Sequence, residues 1–260
     1  MGFYDLSKEE RVQRTADIQH EILQDLLQGQ QSAILRYFED EDIYIRKASY
    51  LGIGRIYNTK PSLRDAIIKH FNILQHHESE LVRQTVVNAA GEIGMFQFEK
   101  VVHYFNIALH DTHHKVRNAV IGSVKKMSQK NPTPVLIWAK KYINHPDTEI
   151  RREICHGIEL RGRTHPQDVL PLLETLQFET QKRVRDTLIH VLGQISYKKG
   201  CLATVIAALK RWKDLPLVKE ALLEIIDVHS EKRYAKFTTL SQKEVIREIE
   251  KGFSTLDFTK

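Results

Sequence analysis

Apolar and polar positions follow one long repeat along most of this 260-residue chain. A basic residue that directly follows a branched apolar residue recurs six times. The last five of these basic residues stand 34 positions apart, and the first gap is 37. A period of this length is typical of a repeat array and not of a globular enzyme core. The six pairs are Ile45-Arg46, Val82-Arg83, Val116-Arg117, Ile150-Arg151, Val184-Arg185 and Val218-Lys219.

Aligning the six copies on the basic residue shows which positions face inward. Apolar or small residues stand one before it, three after it and seven after it, and this spacing of four lines one stripe of a helix. An acidic or turn-forming segment that can start a helix comes before each stripe. A second apolar-periodic stretch comes before that segment, so each copy predicts two antiparallel helices. The predicted first helices are 32–38, 66–74, 101–109, 134–143, 168–176 and 202–212.

This pattern resembles HEAT repeats over residues 32–229. The resemblance implies an all-α fold, an α-solenoid in which about six HEAT-like helix pairs form a right-handed superhelix with the second helices on its concave face. We predict a single domain over 1–260, with an N-terminal cap in 1–30, repeats in 31–230 and a C-terminal cap in 231–260. The cap helices are predicted at 8–27, with Val12, Ile18, Ile22 and Leu26 near one face, and at 242–253.

Composition adds expectations about the protein's environment. No run of eighteen apolar residues offers a membrane span, and residues 1–30 lack the apolar core of a secretory signal. The two cysteines, Cys155 and Cys201, fit reduced thiols. We therefore expect a cytoplasmic protein that does not bind a membrane, and the sequence leaves its oligomeric state open.

Charge is distributed unevenly along the chain. Residues 112–213 contain 19 basic and 8 acidic side chains, a net charge of +11, whereas residues 1–111 carry −4 and residues 214–260 carry −1. A concentrated basic stretch is typical of a protein that binds a polyanion. The alternative is a set of well-solvated surface helices.

The basic residues at the repeat positions have two interpretations. An anchor arginine in a HEAT-type unit commonly pairs with an aspartate of an adjacent turn and holds the stack in register, and we favour this role for Arg46, Arg83 and Arg117. Basic residues are doubled at Arg151-Arg152 and at Lys182-Arg183 with Arg185. One basic residue is enough for the structural pair, so we expect the additional one to bind another partner. The candidate nucleic-acid-binding residues are Lys125, Lys126, Arg151, Arg152, Arg161, Arg163, Lys182, Arg183 and Arg185.

Repeat four departs from its own template. It has Glu159 where other repeats have Gly54, Gly91 and Gly193, and Arg161 where they have an apolar residue. Charged residues in apolar positions indicate either a functional site or a loosened helix end. In the second case Glu159 is the internal partner of Arg161 or Arg152.

Residues 145–212 carry a narrower resemblance. The segment His145-Pro-Asp-Thr-Glu-Ile-Arg-Arg, the pair His156-Gly157 and the closing Arg211-Trp212 are similar to the HEAT-like-repeat DNA alkylation-repair glycosylases. The resemblance implies that a basic concave surface wraps duplex DNA and that alkylated bases are excised. It also implies that a group of arginines either contacts DNA or supports the residues that do; these are Arg151, Arg152, Arg161, Arg163 and Arg185.

The chain departs from that family at positions that bear on catalysis. It has His156 where relatives have an acidic residue before the glycine, and it has no Trp-Asp pair. Glu159 and Glu153 are weak catalytic candidates, and Trp138 and Trp212 are either packing residues or an aromatic wall for a damaged base. We therefore expect a non-catalytic protein that binds duplex DNA. The alternatives are an alkylated-base DNA glycosylase and a scaffold for an acidic protein partner.

Other chemistries have little support in the sequence. The neighbouring pairs His76-His77 and His113-His114 point about 100° apart on a helix, and no zinc-binding spacing is present. Gly52-Ile53-Gly54 lies inside a predicted helix and follows no strand, so it does not predict a phosphate-binding loop. We expect neither a metal nor a cofactor.

Overall fold

The computed structural model describes residues 2–231, 234–238 and 240–253, and all regular secondary structure within these ranges is helical. The chain divides into two compact units, Met1–Asn131 and Pro132–Lys260, which are described one after the other. The single domain over 1–260 stays a prediction. Residues 254–260 of the predicted C-terminal cap lie outside the described residues.

The first unit consists of a cap helix and three helix pairs. Helices α1, α3, α5 and α7 pack side by side in this order, and α2, α4 and α6 pack against them. The bounds are α1 (Lys8–Gln28), α2 (Ser32–Phe38), α3 (Ile43–Thr59), α4 (Arg64–Leu74), α5 (Glu80–Gln97), α6 (Val102–Ala108) and α7 (His114–Lys130).

The second unit has three helix pairs followed by a cap helix. Helices α9, α12 and α14 pack side by side, α11 packs on α13, and α15 packs on α13 and α14. The bounds are α8 (Pro132–Tyr142), α9 (Thr148–Gly157), α10 (Glu159–Gly162), α11 (Pro166–Glu174), α12 (Lys182–Gln194), α13 (Cys201–Leu209), α14 (Leu215–Ser230) and α15 (Gln242–Gly252).

The predicted inward stripe forms the core of both units. In all six repeats the residues one before, three after and seven after the anchor are buried, with exposures between 0% and 8%. Burying a Val, Leu or Ile side chain contributes about 1.5–3 kcal/mol, so this stripe supplies a large part of the packing energy. The predicted helix pairs are therefore confirmed, and helix α2 has the predicted bounds.

Acidic residues start several of the second helices, as the sequence predicts. The Asp42 carboxylate accepts a hydrogen bond from the Tyr44 amide at 2.8 Å, and the Asp147 carboxylate accepts one from the Glu149 amide at 2.7 Å. Asp214 accepts in the same way from the Leu217 amide at 2.9 Å. Such caps satisfy amide groups that have no partner within the helix.

Both cap helices are present. Ser7 and Ser241 start α1 and α15, each paired with a glutamate three residues later in a capping box. Ile18, Ile22 and Leu26 are buried as predicted, but the prediction for Val12 is wrong. Its side chain is 66% exposed and lines an open cavity, whereas the buried residues of α1 begin at Ile18. Among the described residues, no helix combines the length and the apolar character needed to cross a membrane.

Candidate functional site

The anchor arginines brace the turn of their own repeat. In four repeats, one guanidinium nitrogen, Nη1, donates to the backbone carbonyls six and five residues earlier. In Arg151, for example, Nη1 lies 2.8 Å from both the His145 and the Pro146 oxygen. These bonds hold the last carbonyls of the turn in place before the second helix begins. The four residues are Arg46, Arg83, Arg117 and Arg151.

Two of these arginines also bind the turn of the next repeat. Arg83 donates two hydrogen bonds to the Asp111 carboxylate at 2.8 and 3.0 Å, and Arg151 donates two to Glu179 at 2.6 and 3.1 Å. Burial alone would raise the pKa of Asp111, but the hydrogen bonds from Arg83 and from the His113 amide outweigh it and lower that pKa. The pKa of Glu179 is lowered against its burial in the same way, by Arg151 and the Gln181 amide. The role predicted for Arg83 is confirmed, and the same geometry holds Arg151, which was a candidate DNA ligand.

The other basic candidates also have acidic partners. Glu149 binds both Arg152 at 3.0 Å and Arg183 at 2.6 Å, and Asp168 binds Arg161 at 2.6 Å. We expected the second basic residue of a doubled pair to have no acidic partner within the chain. Instead, the single carboxylate of Glu149 pairs with both arginines. The remaining pairs are Lys126 with Glu92, Lys182 with Asp186, and Arg185 with Glu220 and Asp214, whereas Lys125 is half-buried.

The departure in repeat four forms a buried polar network. Glu159 is 1% exposed, and its Oε1 and Oε2 contact Arg163 and His156, respectively. Arg163 donates to Gln194 Oε1 at 2.8 Å and lies over the Tyr197 ring. Both carboxylate oxygens therefore have cationic or donor partners, as the structural alternative expected, but the contacts are with Arg163 and His156, whereas the sequence had suggested Arg161 or Arg152. Glu153 is also 1% exposed and lies 3.8 Å from Arg152.

The two tryptophans are packing residues. Trp138 in α8 is 4% exposed, and Trp212, which follows α13, is 3% exposed. The structure therefore favours the packing interpretation, since neither indole presents a face to solvent. Cys155 and Cys201 are buried free thiols, and burial raises the pKa of both.

An open cavity with aromatic and basic walls lies in the first unit. We call it the aromatic–basic cavity; its volume is about 460 Å³. Its lining is Phe3, Tyr4, Lys8, Arg11, Val12, Thr15, Ala16, Gln19 and Arg55. Tyr4 is 60% exposed and packs edge-to-face on Tyr44, with ring centroids 4.3 Å apart.

The arginines of the aromatic–basic cavity contact neutral groups in the described structure. The Arg11 guanidinium donates to the Leu6 carbonyl at 3.2 Å and lies over the Tyr4 ring, and Arg55 donates to Gln19. Within the described parts of the chain, neither these arginines nor Lys8 forms an ion pair with a carboxylate. This site could not be predicted from segment charges, because its cations lie in a segment of net negative charge.

The sequence analysis also missed a cluster of ionisable groups in the second unit. His156, Glu159 and His190 bring one possible ligand atom each to within 4.8 Å of the others. The two histidines are 34 positions apart, so the repeat period was the signal that could have found them.

Comparisons with known proteins define the fold. No protein-family profile matches the chain, and no curated protein sequence matches it. The chain is similar to a chain in the structure of the Pds5–Scc1 complex, with a TM-score of 0.52 and 13% identity. The match covers 96% of this chain but 41% of that one, so this chain spans about two fifths of its length. A chain in a structure of Kap95p bound to RanGDP is similar with a TM-score of 0.45 and 14% identity over 87% of this chain and 33% of that one.

The likeness to the chain of the Pds5–Scc1 structure agrees with the stacked helix pairs of each unit. At 13% identity the similarity to the Pds5–Scc1 structure establishes the architecture alone. The chain therefore has an all-α, HEAT-like helical-repeat fold.

Proposed function

We propose that this protein is a non-catalytic scaffold that binds an acidic segment of a protein partner in the aromatic–basic cavity. The observation that carries the proposal is the grouping of Lys8, Arg11 and Arg55 around the exposed Tyr4 and Val12, since these three cations have no carboxylate partner among the described residues. Exposed apolar surface rimmed by polar groups is typical of protein interaction sites. Aromatic and arginine side chains are also enriched among residues that dominate binding energy.

The chemistry of the aromatic–basic cavity favours a peptide over a bare polyanion. A peptide with carboxylates can pair with the three cations and can also place an apolar side chain against Tyr4 and Val12. A phosphate backbone would satisfy the cations but leave these apolar groups exposed. A volume of about 460 Å³ fits a few side chains. The Pds5–Scc1 complex shows that a protein of similar fold binds another protein.

Fluorescence anisotropy with a short labelled peptide rich in glutamate and containing a central phenylalanine tests the proposal. We expect the double substitution Arg11→Glu and Arg55→Glu to weaken binding by about 10–100-fold, because it replaces two attractions with two repulsions. The matched control is Lys140→Glu with Lys141→Glu, which makes the same charge change in α8. A control variant that weakens peptide binding as much as the cavity variant would refute a localised site.

Duplex DNA is the second candidate ligand, and exposed lysines of the second unit favour it. Lys140 and Lys141 lie in the last turn of α8, and Lys210, Arg211 and Lys213 follow the end of α13. Within the described residues, none of the five forms an ion pair with a carboxylate. They account for part of the net charge of +11, and they can contact phosphates where the paired arginines cannot without breaking internal bonds.

A duplex titration at two salt concentrations tests this second candidate with the same two variants. If DNA binds these lysines, the Lys140→Glu, Lys141→Glu variant loses affinity, and the slope of affinity against salt becomes shallower by about two. The Arg11→Glu, Arg55→Glu variant then keeps both properties. Equal losses in the two variants would indicate non-specific attraction by net charge.

Base excision, as in the HEAT-like-repeat glycosylases, is the weakest form of the DNA proposal. Glu153 and Glu159, the acidic candidates, are each 1% exposed, and both oxygens of Glu159 are engaged. A sugar cation cannot reach either carboxylate in this arrangement. We accordingly propose a binding function without catalysis, in a reducing compartment such as the cytoplasm that suits two buried thiols.

A further inference from the structure

Three successive repeats of the second unit carry ionisable residues at one equivalent position. His156, His190 and Glu224 each stand five residues after the basic anchor of their repeat, and they are 34 positions apart. Because α9, α12 and α14 pack side by side, these side chains are neighbours. The rings of His156 and His190 meet edge-to-face with centroids 6.0 Å apart, and His190 Nδ1 lies 3.6 Å from Glu224 Oε1.

Glu159 completes the cluster from the buried side. Its Oε2 lies 3.1 Å from His156 Nε2, and one atom each of His156, Glu159 and His190 lie within 4.8 Å of one another. Ligand atoms at about 2.1 Å from a tetrahedral zinc ion are about 3.4 Å apart. The imidazoles need to move by about 1 Å to reach that spacing. Their side chains are 30% and 43% exposed, so solvent leaves them room to rotate.

We propose that His156, Glu159 and His190 bind a divalent transition-metal ion of the zinc class. Two neutral imidazoles and one carboxylate are a ligand set that zinc accepts, and three protein ligands leave the fourth position open to water or to a group of a partner. The proposal does not depend on the aromatic–basic cavity, which lies in the other unit.

Neighbouring residues support the ligands as an outer shell. Arg163 donates to Oε1 of Glu159 and is itself held by Gln194. Oε2 of Glu159 contacts His156 Nε2, and an ion bound between these two atoms would replace that direct contact. Glu224 is placed to hold the His190 ring. Such outer partners orient the ligands of metal sites. With neutral histidines the two carboxylates and the one guanidinium sum to a net charge of −1, so the cluster attracts a cation.

The site also accounts for the departure of repeat four from its template. A Cβ atom on Gly54, Gly91 or Gly193 would come within 2.6 Å of the next helix, so glycine at this position serves close packing. Repeat four has Glu159 at this position, and its second helix is broken between α9 and α10. Gly162 then makes the close contact, since a Cβ there would lie 2.6 Å from Ile195 Cγ2. Packing alone does not require a carboxylate at this place.

Titration of the EDTA-treated full-length chain with Co²⁺, followed by visible absorption, tests the proposal, and calorimetry with Zn²⁺ gives the affinity. We expect one Co²⁺ per chain with absorption bands of a low-coordinate site. His156→Ala and His190→Ala should each weaken binding at least about tenfold, since loss of an outer-shell partner alone costs 10–100-fold. Both side chains are partly exposed, so these variants should fold, which circular dichroism verifies.

The matched control is the double variant His113→Ala with His114→Ala. These two rings stack 4.7 Å apart in the first unit, and His113 Nε2 lies 4.0 Å from Glu80, so they are a competing surface site. The control should bind Co²⁺ as the unchanged chain does. The proposal is overturned if the unchanged chain does not bind the ion, if neither single variant weakens binding, or if the control weakens it as much.

Discussion

Replacing Arg151 with methionine is expected to destabilise the second unit without removing a ligand contact. The guanidinium makes two hydrogen bonds to Glu179, at 2.6 and 3.1 Å, and two to the carbonyls of His145 and Pro146, both at 2.8 Å. It therefore joins the turn of its own repeat to the turn of the next one. Methionine keeps the apolar stem but none of these bonds.

The expected loss follows from the burial of this ion pair. The Arg151 and Glu179 side chains are 14% and 8% exposed. Removing one partner of a fully buried pair costs about 3–5 kcal/mol, because the other charge stays buried without compensation. Residual exposure screens the charges and reduces this cost, so we expect about 2–4 kcal/mol. The matched control is Arg183→Met, whose side chain is 69% exposed in its pair with Glu149 and which should cost at most about 1 kcal/mol.

Urea unfolding followed by circular dichroism measures both variants, and hydrogen exchange shows which repeats are affected. A double-mutant cycle with Glu179→Gln isolates the pair, and we expect a coupling energy of about 1.5–3 kcal/mol. Strictly additive effects, or equal losses in Arg151→Met and Arg183→Met, would refute the structural role of Arg151. Weaker DNA binding in a variant of unchanged stability would instead restore Arg151 as a DNA ligand.

Two further predictions follow from other contacts in the first unit. Gly91→Ala places a Cβ 2.6 Å from Ser123 Oγ and should destabilise the chain by about 1–3 kcal/mol. Gly122→Ala places a Cβ that meets no described atom of another helix within 4 Å and should stabilise the chain by up to about 1 kcal/mol. Chemical unfolding measures both variants, and changes in unfolding free energy of the same sign would contradict this prediction. Asp111→Asn should cost about 1.5–3 kcal/mol at neutral pH. The pKa of Asp111 is lowered in the folded chain, so its contribution is present above the unfolded pKa of about 3.9 and is lost as pH falls through the folded value. The difference from the unchanged chain should therefore shrink as pH falls below about 3.9, and a difference in urea unfolding that stays constant there would contradict this.

The helices could be predicted from the sequence because every repeat has the same spacing of apolar residues around its basic anchor. The branched residue before each anchor, and the residues three and seven after it, are buried in all six copies, so a chance pattern is improbable. Val12 shows the limit of this argument. It fits the periodicity of α1, but a cap helix has a neighbour along only part of its length, and the sequence does not say which part.

The ion pairs could not be predicted from the net charge of a segment. The excess of +11 in residues 112–213 counts Arg152 and Arg183 as two cations, whereas in the folded chain both contact Glu149. In the first 111 residues the opposite occurs, because Asp5 and Glu10 accept hydrogen bonds from backbone amides, and Lys8 and Arg11 have no acidic partner in the part of the chain that the structure describes. Net charge therefore predicted a binding surface in residues 112–213 alone. Among the described residues, cations without acidic partners also line the aromatic–basic cavity of the first unit.

In a helical-repeat chain, function is better predicted from equivalent positions whose residue type changes from repeat to repeat than from the positions that are always apolar. The packing of stacked helices fixes the buried positions, so they carry little information about ligands. The position five after the anchor is free of this constraint, and it holds Leu51, Asn88 and Gly122 in the first unit but His156, His190 and Glu224 in the second. Only in the second unit does the stacking of equivalent positions bring metal-binding groups together. The same 34-residue period that builds the core therefore also aligns these ligands, and substitutions there should change ion binding while leaving the buried stripe intact.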